Sequence, residues 1–289
     1  MKSNYIRETV MKVIFFIAAC ASIFAVILIC VFLFANGIPA MGEIGFFKFL
    51  LGTEWRPSND IYGILPMILG SIYVTAGAIV IGVPIALLTA IFLAYFCPKK
   101  IYKFCKSGIN LMAGIPSVVY GFFGLVLMVP MIKSIFNIRS GSTMLTAAIL
   151  LAIMVLPTIV GVTEASLESV PQSYYEGALA LGATHSQSVF FTMVPAAKSG
   201  IVTGVVLGIG RVIGETMAVI MVAGNQAVMP EGLLSGVRTM TANIVLEMGY
   251  ASGLHREALI ATGVVLFVFI LIINLIVAAL KKGAIQHGD

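Results

Sequence analysis

The stretch Gly200-Ile-Val-Thr-Gly204-Val-Val-Leu-Gly208-Ile-Gly-Arg211-Val-Ile-Gly-Glu215-Thr-Met-Ala-Val-Ile-Met-Val-Ala223 is apolar apart from two charges and small hydroxyls. It is long enough to cross a bilayer core, which takes about 20 residues. A charge near the bilayer centre costs at least ~2.5–3.5 kcal/mol on insertion scales, so it persists where it is paired or faces protein or water. On one continuous helix the i, i+4 spacing lets Arg211 and Glu215 neutralise each other. Gly200, Gly204 and Gly208 recur every fourth residue. At about 100° per residue, positions 200, 204, 208, 211 and 215 fall within an arc of about 80°. Glycines so placed let a second helix approach closely. The charges are therefore expected to point at protein or a polar path. Two readings stand: an ion pair that holds two helices together, and a substrate site at mid-membrane.

The rest of the chain is of the same kind. Hydrophobic residues make up 60% and charged residues 10% of the 289 positions, and the mean hydropathy is +1.08. These values exclude an ordinary soluble domain. An all-α membrane protein is expected, one domain over 1–289, with six transmembrane helices at about 11–35, 66–96, 108–132, 144–164, 199–223 and 258–280. The run from Met11 to Ala35 exceeds a signal-peptide core and reads as an uncleaved span. Ile17-Ala-Ala-Cys20 resembles a lipoprotein cleavage box, but the apolar run continues past it, so Cys20 reads as a helix residue.

Loop lysines and arginines set the orientation. One side carries Lys2, Arg7, Lys12, Lys99, Lys100, Lys103, Lys106, Lys198, Lys281 and Lys282. The other carries only Lys48, Arg56, Lys133, Arg139, Arg238 and Arg256. Both termini are thus expected in the cytoplasm, with loops 97–107 and 165–198. The net charge of +5 is mostly topology, with no basic–aromatic pattern for nucleic acid. Cys20, Cys30, Cys97 and Cys105 fall in the membrane or a reducing compartment, so no disulfide is expected.

Three loops carry further signals. The outside loop 36–65 contains Trp55, Arg56 and Asp60; the sole tryptophan reads either as an interfacial anchor or as part of a docking surface. Outside loop 224–257 holds an amphipathic helix over 235–249. Val237, Met240, Thr241, Ile244, Val245 and Met248 share one face, with Arg238, Asn243 and Glu247 off it. It reads as an interfacial helix or as a gate or partner contact. In loop 165–198, Ser173 followed by Glu176 is a capping box that starts a short helix over 173–181, continued by Tyr175, Gly177, Ala178 and Leu179. Gly182 is placed to end it in a left-handed turn. Such a helix has little to pack on within its own chain, and a groove in a cytoplasmic partner would bury it.

Catalytic patterns are missing from the sequence. There is no Walker A sequence, and His185, His255 and His287 lack metal spacing. Neither a cofactor nor enzymatic activity is expected. Pro84, Pro116 and Pro157 suggest kinked helices around a cavity.

The loop 165–198 resembles the EAA loop of ABC-importer permeases: Glu176-Gly177-Ala178, then Gly182, then Phe191-Thr-Met-Val194-Pro195. Glycine replaces the first alanine, Thr192 stands where isoleucine is usual, and Met193 and Val194 fill the hydrophobic positions. Further stretches look like the phosphate-specific permeases: Gly114-Ile-Pro-Ser-Val-Val-Tyr-Gly121 and Gly208-Ile-Gly-Arg211-Val-Ile-Gly-Glu215-Thr216-Met-Ala218. Trp55-Arg-Pro and Tyr62 to Ser71 are similar to the C-type (PstC) family of subunits. The resemblance covers about 10–282. It implies a type I ABC importer (MetI-like) permease fold in a bacterial or archaeal cell membrane. The chain would form half of the path of an ATP-driven phosphate importer, with hydrolysis on a separate subunit. Implied partners are a second permease (PstA-like), two ATPase subunits (PstB-like) and an extracytoplasmic phosphate-binding protein (PstS-like). Arg211, Glu215 and Thr216 then line the substrate path. Ser173, Tyr175, Glu176, Gly177, Ala178, Leu179 and Gly182 meet the ATPase, and Trp55, Arg56, Asp60 and Arg238 meet the binding protein. Competing readings are a permease for another oxyanion, a proton-coupled secondary anion transporter with Glu215 as carrier, and a structural or sensory membrane protein.

Overall fold

A computed structural model describes residues 2–285, with side chains described for 7–276. Lys2, Lys281, Lys282 and His287, used above for topology and metal spacing, lie outside the described side chains. The chain runs through α1 (Lys2–Ile44), α2 (Phe46–Leu51) and a two-stranded antiparallel hairpin of β1 (Trp55–Arg56) and β2 (Ile61–Tyr62). Next come α3 (Leu65–Ile91), α4 (Lys99–Gly114), α5 (Ser117–Phe123) and α6 (Val129–Phe136). α7 (Met144–Glu168) is followed by α8 (Gln172–Ala180), α9 (His185–Ser188), α10 (Val194–Ala196) and α11 (Lys198–Gly214). α12 (Met217–Val222), α13 (Met240–Glu247) and α14 (Gly253–Ile285) complete the described chain.

Among the described residues, five helical stretches are long and apolar enough to cross a membrane: Arg7–Ile44, Leu65–Phe96, Ser117–Phe136, Met144–Glu168 and Gly253–Ile276. A sixth follows if His185–Ala196 and Lys198–Gly214, bent by 69°, count as one. Three of these stretches contain a π-helical turn, at Phe92–Phe96, Gly124–Met128 and Val189–Met193.

α7 is the most enclosed span. Its Ala147, Ala148 and Ala152 are buried, as are Ala78, Ala86 and Ala90 on α3, which packs along it. Small side chains bring these backbones together, so contact is made by close van der Waals packing rather than by water exclusion. On its other flank α7 meets α11. A Cβ on Gly208 would lie 2.8 Å from Ile159 and 2.9 Å from Val155, so only glycine fits there. The expected close approach of the glycine face is thus made to α7. A second buried cluster joins Ala40 and Met41 of α1, Phe49 of α2, Trp55, Tyr62, Met240 and the start of α14.

Two expected spans are broken. The stretch 108–132 divides at Ile115 and Pro116, both extended, with ψ of 125° and 144°. Proline forbids the helical region to the residue before it, which ends α4 at Gly114. Pro84 and Pro157, by contrast, lie inside α3 and α7, which remain helical through them. The stretch 199–223 divides at Glu215, which is extended (φ −70°, ψ 128°). Side chains satisfy the freed carbonyls: Thr216 Oγ1 donates to Gly214 O at 3.2 Å, and Thr241 Oγ1 donates to Glu215 O at 3.2 Å. Irregular backbone at membrane depth survives where protein covers it in this way.

Candidate functional site

Arg211 sits in the last turn of α11, beyond the glycines that seat this helix on α7. Its guanidinium donates to Thr158 Oγ1 of α7 at 3.3 Å and is otherwise exposed. The expected i, i+4 ion pair with Glu215 is not formed among the described residues. That pairing needs an unbroken helix, and the chain leaves the helix at Gly214. Glu215 instead turns to α12, where its Oε1 accepts from Ala218 N at 3.2 Å, an N-terminal cap. Arg211 and Glu215 still line one narrow crevice with Leu151, Met154, Val155 and Val212. Thr216 is turned back onto Gly214. The result is a cation with spare donors beside an apolar wall, and a carboxylate held one helix turn away by a backbone amide. Arginine's planar fork suits an oxyanion and stays charged.

The second set lies on α8. Every residue of this helix is exposed or half-exposed, Tyr175 and Ala178 being the half-exposed ones. The expected capping box of Ser173 and Glu176 is absent. Pro171 stands at the N-cap and makes no side-chain cap, so Ser173 already lies inside the first turn. The box occurs instead at Thr184 and Gln187, whose side chains each accept from the other's backbone amide at 3.3 and 2.8 Å. Gly182 does end α8 in a left-handed turn, with φ +87°. Gly182 N donates to Leu179 O at 2.9 Å and Ala183 N to Ala178 O at 3.1 Å, the two bonds of a Schellman motif. One side-chain link ties α8 back: Tyr175 Oη and His185 Nδ1 lie 2.8 Å apart, and His185 meets the Phe96 ring edge-on at 4.8 Å. Glu176, Gly177, Leu179 and the neighbouring Leu181, 91% exposed, are left unpartnered.

The third set, at the α13 end, differs from its expectation. Trp55 is only 6% exposed, so within this chain its ring is packed inward rather than presented as an outward anchor or docking surface. Its Nε1 donates to Glu247 Oε2 at 2.9 Å. Glu247 also pairs with Arg238, and its Oε2 lies 2.9 Å from His255 Nε2. Arg238 donates further to Asn243 Oδ1 at 3.0 Å and to Asn225 O at 2.9 Å. The face of α13 expected to be polar and outward is therefore turned inward, while Val245 is exposed. The buried carboxylate draws its donors inward while Val237, Met240 and Thr241 of the apolar stripe stay buried as well. His255 stacks on Tyr62 at 6.2 Å and meets Trp55 at 6.1 Å. Burial, then a hydrogen bond to Asp60, pushes the Tyr62 phenol above its usual range. Arg56 and Asp60 remain exposed.

A fourth cluster escaped the sequence reading. Glu164 of α7 is 1% exposed, pairs with Lys106 of α4 and accepts from Tyr102 Oη at 2.8 Å. That hydrogen bond, with burial second, pushes the Tyr102 phenol up to about 12, so it stays a donor. The signal was a lone carboxylate in an apolar run, but it lay at the expected end of the span and passed for a boundary residue.

The chain is 38% identical over 270 residues to the probable ABC transporter permease protein YqgH of Bacillus subtilis (strain 168), covering 89% of this chain and 87% of that one. It is 34% identical over 265 residues to the phosphate transport system permease protein PstC of Mesorhizobium japonicum, covering 85% and 81%. It is also 34% identical over 240 residues to PstC of Pasteurella multocida (strain Pm70), covering 76% and 75%. Among solved structures, a chain of the inward-facing MetNI methionine ABC transporter aligns with TM-score 0.62 at 18% identity, over 80% of this chain and 99% of that one. A chain of a bacterial alginate ABC transporter aligns with TM-score 0.63 at 17% identity, over 91% and 92%. The structural likenesses show the ABC-importer permease fold alone. The family described as binding-protein-dependent transport system inner membrane component matches residues 82–286, and the chain belongs to that family.

Proposed function

We propose that this chain is a permease subunit of an ATP-driven importer of inorganic phosphate and forms one half of its path. The observation that carries the reading is Arg211. It is an exposed guanidinium at the broken end of an apolar helix, with one neutral hydrogen-bond partner and no ion pair among the described residues. The similarity to two PstC proteins supports phosphate as the anion. An anion shedding water along an apolar wall needs fixed positive charge and donors, and a guanidinium supplies both. A single such group binds weakly enough to release, as conduction requires. Selectivity then rests with an extracytoplasmic binding protein (PstS-like), for which exposed Arg56 and Asp60 are candidate contacts. Arg238 is largely engaged within the chain.

α8, closed at its C-terminal end by Gly182, largely exposed and tied back among the described residues by the Tyr175–His185 hydrogen bond, fits the groove of an ATPase subunit (PstB-like, two copies). A second permease (PstA-like) would complete the path. The α8 side is then cytoplasmic, as the lysine asymmetry suggests, and the protein is a multi-pass component of the cell membrane.

The test is uptake of labelled phosphate by cells lacking their own phosphate importers, given this chain with its ATPase, second permease and binding protein. Uptake is expected to require the ATPase and to resist competition by sulfate or molybdate. Full uptake without the ATPase would assign the chain to secondary transport instead.

A further inference from the structure

α4 is divided lengthwise into three arcs, and the division fits one environment. Tyr102, Cys105, Lys106 and Ile109 face the protein; Tyr102 and Lys106 are fixed there by Glu164. At about 100° per residue the exposed remainder, apart from Ala113 near the helix end, separates into two arcs. Lys99, Lys103, Ser107, Asn110 and, at its margin, Lys100 fill one arc. Ile101, Phe104 and Leu111 fill the next, with Gly108 among them. The apolar arc is bare: Phe104 is 82% and Leu111 72% exposed. Lys99, Lys100 and Lys103 are exposed and have no ion-pair partner among the described residues, and α4 contains no acidic residue. The helix begins three residues after one candidate span ends at Phe96 and stops just before the next begins at Ser117. It is thereby held at the membrane boundary.

We propose that α4 lies in the interface and binds anionic phospholipid headgroups through Lys99, Lys100 and Lys103, with Ile101, Phe104 and Leu111 entering the acyl region. The charge pattern and the placement between two candidate spans favour lipid as the occupant. A protein groove would need carboxylates opposite three clustered cations and a dry socket for the adjoining arc. The headgroup–acyl boundary supplies anions and hydrocarbon side by side along the whole helix. The Glu164 anchor keeps the helix from rolling, so the lysine arc stays at headgroup level. The proposal does not depend on which ion is transported.

The full chain in phospholipid nanodiscs tests this with spin-labelled phosphatidylglycerol and phosphatidylcholine. Each lipid's motionally restricted fraction is read by electron paramagnetic resonance. A preference of roughly fivefold or more for phosphatidylglycerol is expected, weakened by high salt. Lys99→Gln, Lys100→Gln and Lys103→Gln together should remove most of it, while the corresponding Arg triple keeps it. These positions are exposed, so folding is not at stake. A second measurement places the helix. In a background without Cys20, Cys30, Cys97 and Cys105, a nitroxide on Phe104→Cys should collide with oxygen and be shielded from a water-soluble nickel chelate. One on Lys100→Cys should show the reverse. Equal phosphatidylglycerol preference in the wild type and the Gln triple would overturn the proposal. So would a residue-104 nitroxide reached by the nickel chelate, or one shielded from both reagents in the assembled importer, which would mean that protein covers the arc.

Discussion

Arg211 with Glu215, and Arg238 with Glu247, are two arginine–glutamate sets with opposite fates. Arg211 and Glu215 have the spacing of an ion pair and form none. Arg238 and Glu247 are expected off the apolar face of a helix over 235–249, yet they belong to the most heavily bonded polar group at that end of the molecule. Glu247 receives Trp55, Arg238 and His255 and is 7% exposed. Arg211 has one neutral hydrogen-bond partner among the described residues and is exposed. A buried charge has to be matched within the chain, because an unmatched one is expensive. A charge left with spare donors at a broken span is available to something outside the chain. The molecule thus closes one network for stability and leaves the other open for use.

Four substitutions probe this contrast. Glu247→Ala strips a buried partner from Arg238 and His255 and leaves Trp55 Nε1 without an acceptor. It should cost about 3–5 kcal/mol, read as a lower temperature of heat-induced loss of monodisperse protein in detergent. A loss no greater than that of Glu215→Ala would erase the contrast. Gly208→Leu overpacks the α7–α11 contact against Ile159 and Val155 and should cost about 1–3 kcal/mol. The same assay applies, and a neutral result would mean the two helices separate more easily than their spacing implies. Gly182→Ala forces an L side chain to φ +87°, costing about 1–2 kcal/mol. This loss is local to α8, so co-purification of the ATPase should fall while thermal stability of the bundle barely moves. The smallest effect belongs to Thr158→Val, which removes the hydrogen bond to Arg211 and should change stability by less than about 1 kcal/mol. Uptake should fall only a few-fold, since the bond orients the guanidinium without supplying its charge. Complete loss of uptake would assign Thr158 a direct role with the ion.

The apolar segments were legible because a bilayer-length run of hydrophobic residues has few other uses. Gly182 was legible because a helix followed by a left-handed turn favours glycine there. The close approach at Gly204 and Gly208 followed from their spacing. The sequence was silent on what depends on long-range partners. Nothing local says that Glu247 will be met by Trp55, 192 positions earlier, so the stripe of Val237, Met240 and Thr241 shows one buried face of this segment and not the burial of Asn243 and Glu247. Ser173 and Glu176 have capping-box spacing, but Pro171 starts α8 ahead of them. The i, i+4 rule for Arg211 and Glu215 presumed a helix that glycine-rich sequence at 208, 210 and 214 and the partners of the Glu215 backbone bring to an end. Glu164 was overlooked because a span boundary drawn from hydropathy ends where the carboxylate begins.

The open charge is the centre of the account, and uptake of labelled phosphate at matched membrane levels tests it most directly. Charge-assisted hydrogen bonds contribute about 1.5–3 kcal/mol each, so Arg211→Gln should lower uptake by about tenfold or more with assembly intact. Because Glu215 does not neutralise Arg211 in this structure, adding Glu215→Gln should restore nothing: the double variant is expected to be as slow as the single one. Near-normal uptake by the double variant would contradict the account and return Arg211 and Glu215 to the role of a structural ion pair.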